Sequence, residues 1–218
     1  MAVTLNASTT TGLVQSADTS GTVEIQSNGT TRLTVASGGV TTTGNTSIAN
    51  LTATGTFGGG VITSGTAVAS TSGTSIDFTS IPSWVKRITV MFDGVSTNGS
   101  SSLLVQLGTS SGIESSGYIS YSNQTGNSIS SAGVTSTAGL IISLTNNANI
   151  IYGNMTITKL TGNQYTEGVN MGLNAGANFA LQGGGSKTLS GVLDRIRITS
   201  GNGTDTFDAG TINILYEG

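Results

Sequence analysis

Between Thr22 and Val35 apolar and polar residues alternate in two runs, Val23-Glu24-Ile25-Gln26 and Thr31-Arg32-Leu33-Thr34-Val35. Ser27-Asn28-Gly29 separates them, and period-two alternation around Asn-Gly predicts a β-hairpin. A two-residue loop would set Ile25 against Arg32 and Glu24 against Leu33, mixing the faces. A three-residue loop with Gly29 left-handed sets Val23 against Leu33 and Glu24 against Arg32. That register keeps one apolar face and pairs opposite charges, so it is the one predicted. Val23, Ile25, Leu33 and Val35 then form a face that a lone hairpin cannot shield from water. The hairpin is therefore predicted to attach to another chain.

Leu33 to Ile76 carries no charge over 44 residues. Leu33-Thr34-Val35 followed by Gly38-Gly39-Val40-Thr41-Thr42-Thr43-Gly44 is echoed by Leu51-Thr52-Ala53 and Gly59-Gly60-Val61-Ile62-Thr63-Ser64-Gly65. Two imperfect copies fit either a flexible linker or an intertwined β-shaft. The shaft is preferred because Val40, Ile48, Leu51, Phe57, Val61 and Ile62 keep recurring where a linker would drop them. Residues so sparse need several chains together to bury them.

Beyond about residue 70 the apolar runs lengthen: Ser75 to Phe78, Val85 to Phe92, Leu103 to Leu107, Gly117 to Tyr121, Leu140 to Leu144, Ile150 to Leu160, Val192 to Thr199 and Thr211 to Tyr216. Turn clusters bound them, and about eight strands at this spacing predict a two-sheet antiparallel sandwich, jelly-roll-like. Ile196 and Ile198 are placed inward, Arg195 and Arg197 outward. The fold class is all-β. Residues 1–70 form the attachment segment and shaft, and 71–218 the sandwich.

Composition supports the β reading and narrows the chemistry. Thr, Ser, Gly and Asn make up over half of the 218 residues, and only 8% are charged, against roughly 25% in an ordinary soluble domain. With no Cys there is no disulfide framework or thiolate metal site, and with no His there is no Ser-His-Asp triad. A net charge of −3 offers no track for nucleic acid. No apolar run approaches the length of a membrane-spanning helix. The first basic residue is Arg32, so a signal peptide's positive leading region is missing, and synthesis in a cytoplasm is expected. Neither enzyme activity nor a cofactor is expected.

Few residues remain as site candidates. Asp205 and Asp208 with Asn202 bring two carboxylates, short of the six to eight oxygens Ca²⁺ takes, and read better as turn caps. These acids, with Glu114 and Glu167, show no spacing that singles out a glycosidase pair. Among the aromatics, Trp84, Tyr118 and Tyr121 are the candidates for stacking on a glycan, with Tyr152 and Tyr165 also available. Trp84 beside a strand start is read first as a core anchor. Tyr118 and Tyr121 have opposite parity, so at most one of them is exposed. Lys86-Arg87 and Arg195/Arg197 are read as solvated faces, or as partners of Asp77, Asp93 or Asp194 in a neighbouring subunit.

Ser72-Gly73-Thr74-Ser75-Ile76-Asp77-Phe78 and Ile81-Pro82-Ser83-Trp84-Val85-Lys86-Arg87-Ile88-Thr89-Val90 resemble the opening of a C-terminal domain of bacteriophage tail-fibre and other virion-appendage proteins. Lys187-Thr188-Leu189-Ser190-Gly191, Leu193-Asp194-Arg195-Ile196-Arg197-Ile198-Thr199 and Asn202-Gly203-Thr204-Asp205-Thr206-Phe207-Asp208-Ala209-Gly210 resemble its close. The resemblance covers roughly residues 65–218, and more loosely the Thr/Gly-rich stretch before them. It implies a trimeric virion component and carries over no catalytic residue. The expected role is a short tail fibre or similar appendage, with its N-terminal region on other virion proteins and its sandwich toward a host-surface glycan. A capsid decoration or head fibre, and a free lectin-like module, are the alternatives.

Overall fold

The computed structural model describes residues 22–37, 39–43, 62–126, 133–174 and 178–218. Every regular element among them is a strand. The chain divides into two compact units, Met1–Thr54 and Gly55–Gly218. Most of the expected shaft, including Ile48, Leu51, Phe57 and Val61, lies outside the described residues.

In the first unit, β1 (Val23–Ser27), β2 (Thr30–Ala36) and β3 (Gly39–Thr42) form an antiparallel meander. The hairpin is present in a register different from the expected one. Asn28 and Gly29 both take positive φ, at 52° and 72°, and close a two-residue loop with Ser27 opposite Thr30. Left-handed conformations at both central positions are what a hairpin turn of this twist requires. The register then shifts: Gln26 faces Thr31 but Ile25 faces Leu33, leaving Arg32 as a bulge. The bulge restores the apolar pairing that an unbroken two-residue hairpin would scramble. Val23 meets Val35 and Ile25 meets Leu33, so the four predicted residues do share a face. Glu24 lies opposite Thr34, not Arg32, and its carboxylate accepts hydrogen bonds from Thr31 and Gln26.

The second unit begins earlier than residue 71. Short β4 (Thr63–Ser64) and β5 (Val68–Ala69) already pair with the last strand. There follow β6 (Ser75–Phe78), β7 (Arg87–Thr97), β8 (Leu103–Thr109), β9 (Gly112–Ile113) and β10 (Tyr118–Thr125). Next come β11 (Val134–Ser136), β12 (Leu140–Ile142), β13 (Ile150–Thr161) and β14 (Gln164–Asn174), then β15 (Asn178–Thr188), β16 (Arg195–Ser200) and β17 (Phe207–Glu217). One sheet runs β11-β10-β15-β14-β13-β7-β17-β4, with β5 also on β17. The other runs β12-β8-β16-β6, with β9 on β8. All pairs are antiparallel, and inward residues of both sheets join one apolar cluster including Val90, Leu107, Met155, Leu181, Ile198 and Ile214. Ile196 and Ile198 point inward as expected. The described residues of the sandwich form nine strands in one sheet and five in the other, more than the eight of a jelly roll, and the meander β13-β14-β15 stays within the larger sheet.

Two of that meander's strands, β14 and β15, are absent from the sequence expectation. Two of the glycines of β15 are needed for close approach. A Cβ on Gly183 would lie 2.4 Å from the Tyr121 carbonyl oxygen, and one on Gly185 would lie 2.7 Å from that of Ile119. Ser120 and Ser122 stand opposite these glycines on β10 and point inward. Their hydroxyls accept hydrogen bonds from Ile141 N–H (2.9 Å) and Ser143 N–H (3.3 Å), at and just beyond β12 on the edge of the other sheet. Small residues on one sheet thus cap the open edge of the other, which would otherwise leave buried donors unpaired. Gly183→Val is expected to cost about 3 kcal/mol or more, because backbone must move. Gly184→Ala, exposed on the other face with 3.6 Å to the nearest atom, should stay within about 0.5 kcal/mol. Paired urea melts check both.

Candidate functional site

The apolar face of the N-terminal sheet extends beyond the hairpin. Val35 pairs with Val40 on β3 and Leu33 pairs with Thr42, so Val23, Val35 and Val40 make one row and Ile25 and Leu33 the next. Val40 is 67% exposed and Ile25 50%, while Leu33 is half-buried. The opposite face carries Glu24, Thr34 and Thr41. A sheet this small with one apolar side in water is marginal until that side is covered.

At one end of the sandwich a cleft of about 750 Å³ opens around Trp84. The Ser83-Trp84 turn precedes β7, and Val85 N–H bonds back to the Pro82 carbonyl at 3.1 Å. That turn sends Val85 into the core and leaves Trp84 42% exposed. The sequence reading of Trp84 as a core anchor is corrected accordingly. Tyr216 flanks the indole, with ring centroids 5.9 Å apart. Lys86 and Lys159 line the cleft with Leu160 and Thr161. Thr158 pairs with Arg87 at the end of the β7–β13 ladder, and just beyond it Lys159 N–H bonds the Lys86 carbonyl at 2.7 Å. Lys86 N–H in turn bonds the Glu217 carbonyl at 2.7 Å. Arg87 pairs with the Glu217 side chain; among the described residues no Asp or Glu side chain lines the cleft, which Gly218 also lines. Sequence reasoning named Trp84 and Lys86 but missed Lys159 and Leu160. Seventy-odd residues separate the two lysines along the chain, and only the β7–β13 register joins them.

The other candidates are placed as follows. Tyr118 is buried and unable to meet a sugar, a correction to its listing with Trp84 and Tyr121; inward parity on β10 puts it there. Its hydroxyl accepts from Leu107 N–H at 2.7 Å and donates to the Glu114 carbonyl at 2.8 Å. Burial pushes its pKa well up. Lys187 sits 5.1 Å from the Tyr118 ring centroid and pairs with Glu114 at 2.6 Å. Desolvation works to raise the Glu114 pKa, but hydrogen bonds from Lys187 and Ser190 outweigh it and hold it below the usual range. Tyr121 is exposed on the outer face, as is Tyr152 on β13, whereas Tyr165 is buried. None of these stands at the Trp84 cleft.

Arg87, Arg195 and Arg197 each have an acidic partner within the chain. Arg197 makes a bidentate contact with Asp77 at 2.7 Å, and Arg195 meets Asp194 at 2.7 Å. Asn202 Oδ1 accepts from Thr204 and Asp205 N–H, and Asp205 accepts from Asn202 and from Ser101 N–H. These bonds, Asn202 foremost, hold the Asp205 carboxyl below its ordinary pKa. Asp208 instead meets the Ser96 hydroxyl. The two carboxylates therefore serve separate turns and strands. Among the described residues no three His, Cys, Asp or Glu side chains are grouped as a metal site would need. No helix there is long and apolar enough to cross a membrane.

Glu167 is the one acid without a partner among the buried side chains described. Only 8% exposed, it points from β14 into the core beside Tyr165 and Val169, and neither carboxylate oxygen has a hydrogen bond. The room comes from Gly185, where a Cβ would lie 2.8 Å from Glu167 Oε2. Burial pushes its pKa up to about 7. Comparison with protein-family models, curated proteins and solved structures finds no match to this chain.

Proposed function

We propose that this chain is a non-enzymatic virion structural protein, a short tail fibre or similar bacteriophage appendage. Its N-terminal sheet docks on other chains and its sandwich meets the host surface. The observation that carries this reading is the single apolar face on which Val23, Ile25, Val35 and Val40 lie together and exposed. Such a face is stable in water only when another surface covers it, and the sparse apolar residues that follow suit a shared axis. The resemblance of residues 65–218 to virion-appendage domains supplies the setting. The arrangement of two packed sheets, with carboxylates dispersed into separate ion pairs and turns, supports a binding role over a hydrolytic one.

The full chain is expected to sediment as a homotrimer at micromolar concentration. Deleting residues 1–43 should leave a folded sandwich that no longer enters particles. Electron microscopy of virions labelled at the last residue locates the protein: a label on the tail supports the fibre reading. A label on the head replaces it with capsid decoration, and normal incorporation of the truncated chain removes the N-terminal sheet as the attachment point.

A further inference from the structure

We propose that the outer face of the large sheet binds a neutral saccharide chain, laid along a row of amide side chains that crosses β10, β15, β14 and β13 between Tyr121 and Tyr152. This names a ligand class for the sandwich. Its host-surface setting rests on the function proposed above, and the binding itself does not.

The row follows from strand register. Asn123 pairs with Gln182, Gln182 with Asn170, and Asn170 with Asn154, so four amides stand side by side on four neighbouring strands. Gln182, Asn170 and Asn154 are exposed and Asn123 is half-buried. The rows on either side are bare at the two middle strands. Gly184 pairs with Gly168 on one side of the amides, and Ala180 with Gly172 on the other. A Cβ on Gly168 would meet nothing within 4 Å, and one on Gly184 only the Glu167 carbonyl oxygen, at 3.6 Å. A Cβ on Gly172 would meet only the Tyr152 carbonyl oxygen, at 3.9 Å. A ligand can therefore reach backbone on both sides of the amides. An exposed tyrosine stands at each end, two residues before Asn123 on β10 and two before Asn154 on β13. Because β10 and β13 run in opposite directions, Tyr121 and Tyr152 lie on opposite sides of the row. Strand spacing and rise set their backbones roughly 20 Å apart. A hollow of about 230 Å³ opens between Tyr152, Gly172 and Phe179.

The lining selects the ligand. Of the charged residues in these four strands, Glu167 and Lys187 point inward and Lys159 lies at the Trp84 cleft, so the middle of the outer face is uncharged. The first charge beyond it is Asp93, opposite Tyr152 on β7, which disfavours an acidic chain. A pyranose with equatorial substituents carries hydroxyls round its rim and C–H groups on its two faces. Each hydroxyl donates and accepts, as each amide does. The C–H faces suit the tyrosine rings and the bare glycine backbone, and linked rings can run from one tyrosine toward the other. A second copy of this chain fits the face less well. Contacts between proteins are apolar at their centre, and the centre here is amide and glycine, with the tyrosines at the ends.

Calorimetric titration of the full-length protein with cellotetraose and with maltotetraose tests this. At least one of them is expected to bind with a dissociation constant of about 1 mM. Added salt should leave that constant unchanged, because no charge takes part. The variants Asn170→Ala/Gln182→Ala and Tyr121→Ala/Tyr152→Ala, at exposed positions, should keep their melting temperature and lose about tenfold in affinity. Gly168→Thr is the sharper variant. Its side chain has room and suits a strand, so the fold should hold, yet it covers the open backbone beside Asn170 and should also cost about tenfold in affinity. No binding of either sugar up to about 20 mM overturns the proposal, since binding that weak carries almost no free energy. So does full affinity in Gly168→Thr or in the amide variant, or tighter binding of tetragalacturonate, the acidic control. A Gly168→Thr protein that sediments as a smaller species overturns it too, by making this face a contact between copies. These readings use purified protein only, so their failure leaves attachment to the virion standing, and a failure of attachment leaves them standing.

Discussion

Glu167→Gln is expected to make the protein more stable at pH 8, by about 2 kcal/mol, and to give no gain at pH 4. The carboxyl is buried without a hydrogen bond, and its pKa rises from 4.5 in the open chain to about 7 in the fold. Below pH 4.5 it is protonated in both states and costs nothing electrostatic. Between 4.5 and 7 the folded protein retains a proton that the unfolded chain has released, so stability falls as pH rises. Above pH 7 the cost is complete, at about 3 kcal/mol for a shift of this size. The amide removes that cost but brings two donors into the same unpartnered place, which takes back about 1 kcal/mol. For a chain of this length the net gain at pH 8 raises Tm by roughly 5 °C. Calorimetric melts of both proteins from pH 4 to pH 8 measure it. An equal gain at both ends would show that the carboxylate's charge is not the cause.

Ile25→Asp is expected to abolish the proposed assembly, whereas Thr41→Asp should leave it intact. Both changes add one carboxylate to the same three-stranded sheet, on opposite faces. Where the apolar face is covered by other chains, an unpaired carboxylate at Ile25 costs several kcal/mol per copy. At three copies this shifts the association equilibrium by many orders of magnitude. Thr41 lies exposed on the polar face, where a charge costs at most about 0.5 kcal/mol. Sedimentation of the two variants at micromolar concentration separates the cases. Equal assembly of both would mean that another surface joins the chains.

The hairpin shows how much of this was legible along the chain. Alternation and Asn28-Gly29 marked the two strands and the four residues of the apolar face. The pairing was not legible, because the bulge at Arg32 is an extra residue that no period announces. In the sandwich, runs such as Arg195-Ile196-Arg197-Ile198 declared both strand and inward side. Gln164–Asn174 and Asn178–Thr188 did not, since Gly183, Gly184 and Gly185 signal a turn in isolation. The Trp84 cleft was visible only as separate residues, two of them assigned to bland roles.

The sequence by itself determined an all-β chain, an antiparallel sandwich at its C-terminal end and an alternating hairpin near its start. β-branched residues, period-two burial and turn residues act over a few positions, so the local chain suffices to express them. Tertiary structure alone decided what depends on residues far apart in the chain. It set Lys159 beside Lys86, turned Tyr118 inward against β8, and left Glu167 without a partner over Gly185. Each follows from strand register and from the approach of one sheet to another. A shift of one residue exchanges every inward side chain for its outward neighbour, so these are properties of the pairing and not of the run of residues.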